Sequence, residues 1–297
     1  MTNLNLLFNK TYYQKLKTDE FAKSLKDNNA TIFSTKFDNA KDYRACVFAK
    51  QRLYFKTTYP GLLIGTGNPH GAHQDDNDIN VGFSFDYVTG QPYIPGSSVK
   101  GALRSRFKNS PQVVAELLDV DVSAVKDIEK EIFDGKDVFF DAVLCDGAFD
   151  INAENFDKDD CILGEDYITH HLDAVKNPVP VMILKVLPDV RFEFRFDLKD
   201  GILSIQQKEA LLVQLISLFG VGAKTNVGYG VLEHCEERTA KRVPRQQSSQ
   251  TRQNITSTPS EYKRCIKCNG KIYKNNIDGT PNPKWRFDTC SKCYFNN

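Results

Sequence analysis

The sequence predicts an α+β fold, in which a split β-α-β plan is laid on an antiparallel sheet and a small cysteine-bearing module follows it. Three observations lead there. Phe192, Phe194, Phe196 and Leu198 alternate with Arg191, Glu193, Arg195 and Asp197, the period of two that puts one strand face on a core and the other on solvent or a partner. Val99, Leu103 and Phe107, and later Leu211, Leu212, Leu215 and Ile216, recur at helical spacing. Composition then changes abruptly near residue 238, where apolar residues almost vanish.

In chain order, residues 11 to 28 are helix-prone but polar, which predicts a peripheral helix. Residues 43 to 64 read as strand-like runs broken at Pro60-Gly61. Residues 65 to 80, GTGNPHGAHQDDNDIN, have no periodicity and predict a long, solvated, mobile loop. Its His70, His73, Asp75, Asp76 and Asp78 are residue types that bind a divalent cation or move protons, yet their spacing fits no metal motif.

The next stretch, QPYIPGSSVKGALRSRFK from Gln91 to Lys108, sets a rigid turn before a helix. Pro92 and Pro95 fix the approach, Gly96 permits a sharp reversal, and Ser97 or Ser98 is the expected N-cap. Val99, Leu103 and Phe107 form an apolar face, and Lys100, Arg104 and Lys108 a basic one beside it. A helix start with free N–H groups and flanking cations is an anion site suited to a phosphate backbone. The same residues also suit a capped surface helix whose cations are merely solvated.

Residues 112 to 133 read as a helix burying Val114, Leu117, Leu118, Val125, Ile128 and Ile132, stopped by Gly135. VFFDAVL, residues 138 to 144, follows as a buried strand that holds Asp141, expected as a hydrogen-bond acceptor at a strand edge. Residues 145 to 178 read as polar and irregular, with His170 and His171 side by side. Val179 to Leu187 and Val190 to Leu198 are expected to pair as an antiparallel hairpin across Pro188-Asp189. Gln206 to Phe219 is an apolar helix that runs into GVGAKTNVGYG, residues 220 to 230, before a last strand at Val227 to Glu233.

That glycine-rich segment is not a nucleotide-hydrolysing loop, because it lacks the glycine-lysine pair and follows a helix. Its glycines allow close approach to a phosphodiester chain, with Lys224, Thr225 and Asn226 as donors. The whole order is the split plan of ferredoxin-like and RNA-recognition folds.

With 297 residues, 40% of them hydrophobic, the chain can bury a real core, and its net charge of +1 excludes a uniformly basic protein. Charge is instead concentrated: from Arg238 to Lys274 there are ten Lys or Arg and one acidic residue, Glu261. The N-terminus shows no secretion signal and no apolar run approaches membrane-spanning length, so a cytoplasmic protein is expected. In a reducing compartment the cysteines read as metal ligands before disulfides. Cys265-x-x-Cys268 and Cys290-x-x-Cys293, separated by 21 residues, suit a structural zinc site of four thiolates. Residues 1 to 237 are thus expected as the main domain, 238 to 264 as a flexible basic linker and 265 to 297 as a zinc-ribbon-like module.

PYIPGSSVKGALRSRF (Pro92 to Phe107), IFDGKDVFFDA (Ile132 to Ala142), NPVPVMILKV (Asn177 to Val186) and LFGVGAKTNVGYGVL (Leu218 to Leu232) occur in that order. Together they resemble the RAMP superfamily of CRISPR effector subunits, and within it the sixth-subunit family of the type III-B, or Cmr, complex. The resemblance covers about residues 60 to 234. It implies a ferredoxin-like, non-catalytic subunit at one end of a helical ribonucleoprotein, contacting guide RNA near its 3′ part, with target RNA and other Cmr-type subunits as partners. Target cutting would belong mainly to the repeated backbone subunits. The implied RNA contacts are Gly96, Ser97, Ser98, Lys100, Arg104, Lys108, Gly222, Lys224, Thr225 and Asn226.

The chain departs from the family's pattern twice. YITHHL, residues 167 to 172, lacks the proline the family favours between Thr and His, and the cysteine-bearing C-terminus is not part of the usual subunit. Two other functions compete with RNA holding. One is an endoribonuclease of the same superfamily using His70, His73 or Asp75 to Asp78, and the other is a protein adaptor acting through the C-terminal module.

Overall fold

A computed structural model describes residues 3–37, 47–71, 77–149, 161–169 and 180–236, together with two short strands near the C-terminus. The chain divides into two compact units, Met1–Lys241 and Arg242–Asn297.

The first unit opens with α1 (Leu4–Asn9) and α2 (Phe21–Ser34), then β1 (Gln51–Thr57). A long irregular segment leads to β2 (Tyr93–Ile94) and three helices, α3 (Gly96–Asn109), α4 (Pro111–Leu118) and α5 (Val125–Asp134). There follow β3 (Val138–Phe139), β4 (Ala142–Phe149), β5 (Leu163–Thr169), β6 (Pro180–Val186) and β7 (Val190–Asp197). The unit closes with α6 (Ile205–Phe219) and β8 (Leu232–Cys235).

The main sheet is antiparallel in the order β2-β4-β7-β1-β8, with β3 also on β7. On β7, Phe192, Phe194 and Phe196 are fully buried against Val99, Leu103, Leu211 and Leu215. A chain of rings ties the helices to the sheet: Phe107 to Phe133 at 5.2 Å, Phe133 to Phe139 at 5.7 Å and Phe139 to Phe196 at 5.4 Å between centroids. Each such ring contributes roughly 1.5–3 kcal/mol by leaving water.

Several expectations need correction. The segment from Val190 does not pair with the one before it: β7 lies between β1 and β4, whereas β6 pairs with β5 in a separate two-stranded sheet. Alternation identifies a strand's faces and says nothing about which edge it bonds. The other face of β7 is not solvated either, since Arg191, Glu193 and Arg195 are buried and Glu193 accepts from both Arg52 and Arg195. Residues 145 to 178 are not wholly irregular, because β4 extends to Phe149 and β5 begins at Leu163; on β5 Glu165 is exposed, while Asp166 on the opposite face pairs with Lys185.

The N-terminal segment is not peripheral. Leu4, Phe8, Tyr12, Leu25 and Ile32 are fully buried, a narrow stripe hidden by polar composition. The single helix expected over residues 112 to 133 is two, parted where Asp119 adopts a left-handed conformation (φ 54°) that stops α4. Val227 likewise stands in a short 3₁₀ turn, and the last strand starts at Leu232.

In the second unit β9 (Tyr262–Arg264) and β10 (Lys271–Tyr273) pair antiparallel, Arg264 opposite Lys271 and Tyr262 opposite Tyr273. The stretch assigned to a linker therefore ends before Tyr262.

Candidate nucleic-acid interface

The antiparallel pairings make β2, β7 and β8 run one way and β1 and β4 the other. α3 leaves the end of β2, where β4 begins, while the glycine-rich segment enters β8 where β1 ends. The two glycine-rich segments therefore occupy opposite ends of the sheet, roughly 20–25 Å apart along its strands. They do not form one continuous surface at a single end.

At the α3 end the expected serine cap is absent. Pro95 is the N-cap residue and makes no side-chain cap bond; the Gly96 N–H instead donates to Asp141 Oδ1 at 2.8 Å. Asp141 stands between β3 and β4, so a carboxylate of the protein already meets the positive end of the helix. Gly96 is buried against the Phe139–Phe140 backbone, which leaves no room for a Cβ. Ser97 and Ser98 are exposed, and Lys100 Nζ lies 5.8 Å from the Phe139 ring centroid.

Arg104 is engaged within the protein. Its Nε donates to Glu129 at 2.8 Å, and its two terminal nitrogens donate to the two oxygens of Asp134, each at 2.7 Å. The Arg104 hydrogen bonds hold the Asp134 carboxyl below the usual range. Lys108 is exposed near the other end of α3, where Arg106 lies over the ring of Phe219, the last residue of α6, at 4.8 Å. Lys108 thus belongs to the end of the sheet that carries the second glycine-rich segment.

That segment is an open loop on a closed base. Gly220, Gly222, Gly228 and Gly230 all have positive φ (69°, 87°, 97° and 71°), and Lys224 is left-handed at φ 57°. At the base, the Val221 N–H donates to Gly230 O at 3.0 Å, Gly230 N–H to Gly61 O at 2.8 Å and Ala223 N–H to Leu63 O at 3.0 Å. Tyr229 is buried and its hydroxyl donates to Asp166 Oδ2 at 2.7 Å, the oxygen that also receives Lys185 Nζ at 2.7 Å. Burial opposes ionisation of Asp166, but Lys185 and Tyr229 outweigh it and hold the carboxyl low. Burial and that carboxylate push the Tyr229 phenol up.

Above this base Gly222, Lys224, Asn226 and Val227 are exposed and Thr225 half-exposed. Among the described residues no protein acceptor faces the N–H groups of Gly222, Lys224, Thr225 or Asn226. Backbone donors beside a lysine on a left-handed turn are the means by which loops receive phosphate oxygens.

His70 is not a solvated loop residue. It is 4% exposed and stacked on Phe8 at 3.6 Å, with Nδ1 2.6 Å from Ile79 O and Nε2 2.9 Å from Phe8 O. Burial lowers its pKa, against two carbonyls that favour the protonated ring. Asp78 is fully buried beside Tyr12. Residues 65 to 80 carry no local sign of this burial, because the covering side chains come from the N-terminal segment. His73, Asp75, Asp76, His170 and His171 lie outside the described residues, as do Cys265, Cys268, Cys290 and Cys293. Among the described residues no group of three or more His, Cys, Asp or Glu could hold a metal ion, and no helix is long and apolar enough to cross a membrane.

Comparison with known proteins locates this domain. The family model of the RAMP superfamily matches residues 54–233. The CRISPR system CMR subunit Cmr6 of Saccharolobus solfataricus is 28% identical over 202 residues, which cover 66% of this chain and 62% of that protein, so the match spans less than two thirds of the relative. Among solved structures, the type III-B Cmr-beta complex bound to cognate target RNA has a chain 24% identical, with a TM-score of 0.44, over 62% of this chain and 58% of that one. Cmr6 from Pyrococcus furiosus is 22% identical, with a TM-score of 0.40, over 62% of this chain and 97% of that one.

Proposed function

The chain belongs to the RAMP superfamily, and from that premise we propose that it is a non-catalytic, guide-RNA-binding subunit of a type III CRISPR ribonucleoprotein effector complex. In this reading it sits at one end of the filament, near the 3′ part of the guide, beside other Cmr-type subunits and the target RNA. Similarity to Cmr6 supports the choice of subunit. The strand order β4-β7-β1-β8, with α3 to α5 between β1 and β4 and α6 between β7 and β8, supports a ferredoxin-like domain.

The observation that carries the proposal is the exposed loop of Gly222, Lys224, Thr225 and Asn226 on its hydrogen-bonded base. Four backbone N–H groups, a lysine and two polar side chains there receive the phosphates of one strand without reading its bases. Lys108 extends this basic edge. Ser97, Ser98 and Lys100 form a second contact at the far end of the sheet, while Gly96 and Arg104 shape α3 from within. Affinity for single-stranded RNA then falls steeply with salt, and replacing Lys224 and Lys108 by alanine weakens binding and flattens the salt dependence by about 0.7 in log–log slope per lost contact. Salt-insensitive binding, or an unchanged slope in that double variant, overturns the reading.

His70, enclosed with both ring nitrogens against carbonyls, supports a structural role over a catalytic one. RNA cleavage by the purified chain that is lost on His73→Ala would establish the endoribonuclease instead.

Cys265, Cys268, Cys290 and Cys293 form a structural zinc site in the same proposal. In support, the connection between β9 and β10, residues 265 to 270, carries the first cysteine pair, the hairpin setting a zinc knuckle requires, and four thiolates are a donor set zinc takes. Bound zinc would hold a module too short to bury a core of its own.

A further inference from the structure

Where β1 ends, Thr58 to Gly61 make a tight turn in which the Gly61 N–H donates to Thr58 O at 2.7 Å. The turn is joined to the glycine-rich loop on both sides. The Thr58 N–H and hydroxyl both donate to Val231 O, at 3.2 and 2.9 Å, and Gly61 O accepts from Gly230. A Cβ on Gly228 would meet Pro60 Cδ at 3.4 Å, so the two segments run side by side with room for about one methyl group between them.

Tyr59 stands on this turn and is 85% exposed, with exposed Val227 on the neighbouring loop. Its phenol is near enough to Tyr229 to add to the upward push on that hydroxyl. A single exposed tyrosine is ordinary on any surface. Here, however, the backbone that carries it is immobilised, so a flat partner can settle on the ring at little cost in entropy. The ring also borders the loop in which the N–H groups of Gly222, Lys224, Thr225 and Asn226 have no acceptor among the described residues.

We propose that Tyr59 is a base-stacking residue: a nucleobase of single-stranded RNA lies on its ring while the adjoining phosphates are held by Lys224 and the loop N–H groups. This deepens the RNA-holding reading and rests on it. Because every base has a π face, the contact binds RNA of any sequence, as holding a guide of variable sequence requires.

The test uses the full chain and two fluorescein-labelled probes of equal length, an oligouridylate of about 12 nucleotides and an abasic ribose-phosphate strand, with Kd measured by anisotropy across a salt series. Tyr59→Ala weakens oligouridylate binding about tenfold, keeps the salt slope of the wild type and binds the abasic strand unchanged; Tyr59→Phe behaves as wild type. Lys224→Ala weakens both probes alike and flattens the slope. If Tyr59→Ala binds oligouridylate as well as wild type, or weakens both probes equally, stacking is overturned while RNA holding stands. If the wild-type chain binds neither probe, RNA holding fails and stacking fails with it.

Discussion

Lys208 is 2% exposed, and its ammonium lies 2.8 Å from Asp137, 2.9 Å from Glu131 and 2.8 Å from Lys199 O. It joins α6 to the end of α5 and the approach to β3. Burial disfavours its charge, yet the two carboxylates outweigh that and hold its pKa above the ordinary lysine value. Lys208→Met would leave the buried Asp137 carboxylate without this cation and lower unfolding free energy by about 3–5 kcal/mol, measured by chemical denaturation. Burial also opposes ionisation of Glu131, but the Ile202 N–H and Lys208 bring its pKa below the usual carboxylate range. A carboxyl lowered in the folded state stabilises above its unfolded pKa and loses that contribution as pH falls through the folded one. Stability should therefore drop below about pH 4, and the drop attributable to Glu131 should shrink in Glu131→Gln. None of this was legible beforehand, because residues 131, 137 and 208 are far apart in sequence and Lys208 looks like any solvated helix lysine.

At the scale of elements, α3 depends on a residue 45 positions away, Asp141, for its first N–H partner. Asp141→Ala should cost about 1 kcal/mol, the usual worth of an N-cap, while Ser97→Ala and Ser98→Ala should each cost far less because neither makes a side-chain cap bond. Thermal melts of the three variants check this order; equal losses would return the cap to the serines. α6 is the contrary case. Ser204 and Gln207 form a reciprocal capping box, so its start is encoded within four residues of chain. The glycine loop was equally legible as a turn, since positive φ at four glycines is a local demand. Its anchor, Tyr229 on Asp166 of β5, was not, because Gly164, Glu165 and Asp166 make β5 read as polar, irregular chain.

For the whole molecule, the first unit stands on its own core and the second on the proposed metal. Purified, reduced protein should contain about one zinc per chain by metal analysis, with Cys265→Ser and Cys290→Ser each losing it; zinc-free wild-type protein would reject the site. Deleting residues 242–297 should leave the thermal unfolding of the first unit intact, since the core cluster formed by the described residues lies within Met1–Lys241.

By itself the sequence determined which segments are helices and strands where the pattern is strong, which face of β7 meets the core, where the glycine loop turns, and to which superfamily the chain belongs. These depend on periodicity and backbone freedom within a few residues of one another. Only the tertiary structure decided that β7 pairs with β1 and β4 and not with β6, that Asp141 occupies the start of α3, that Arg104 is taken by Glu129 and Asp134, and that the two glycine-rich segments lie at opposite ends of the sheet. A strand edge, a helix end and a guanidinium can each accept several partners, and the choice is made by residues brought close only when the chain folds.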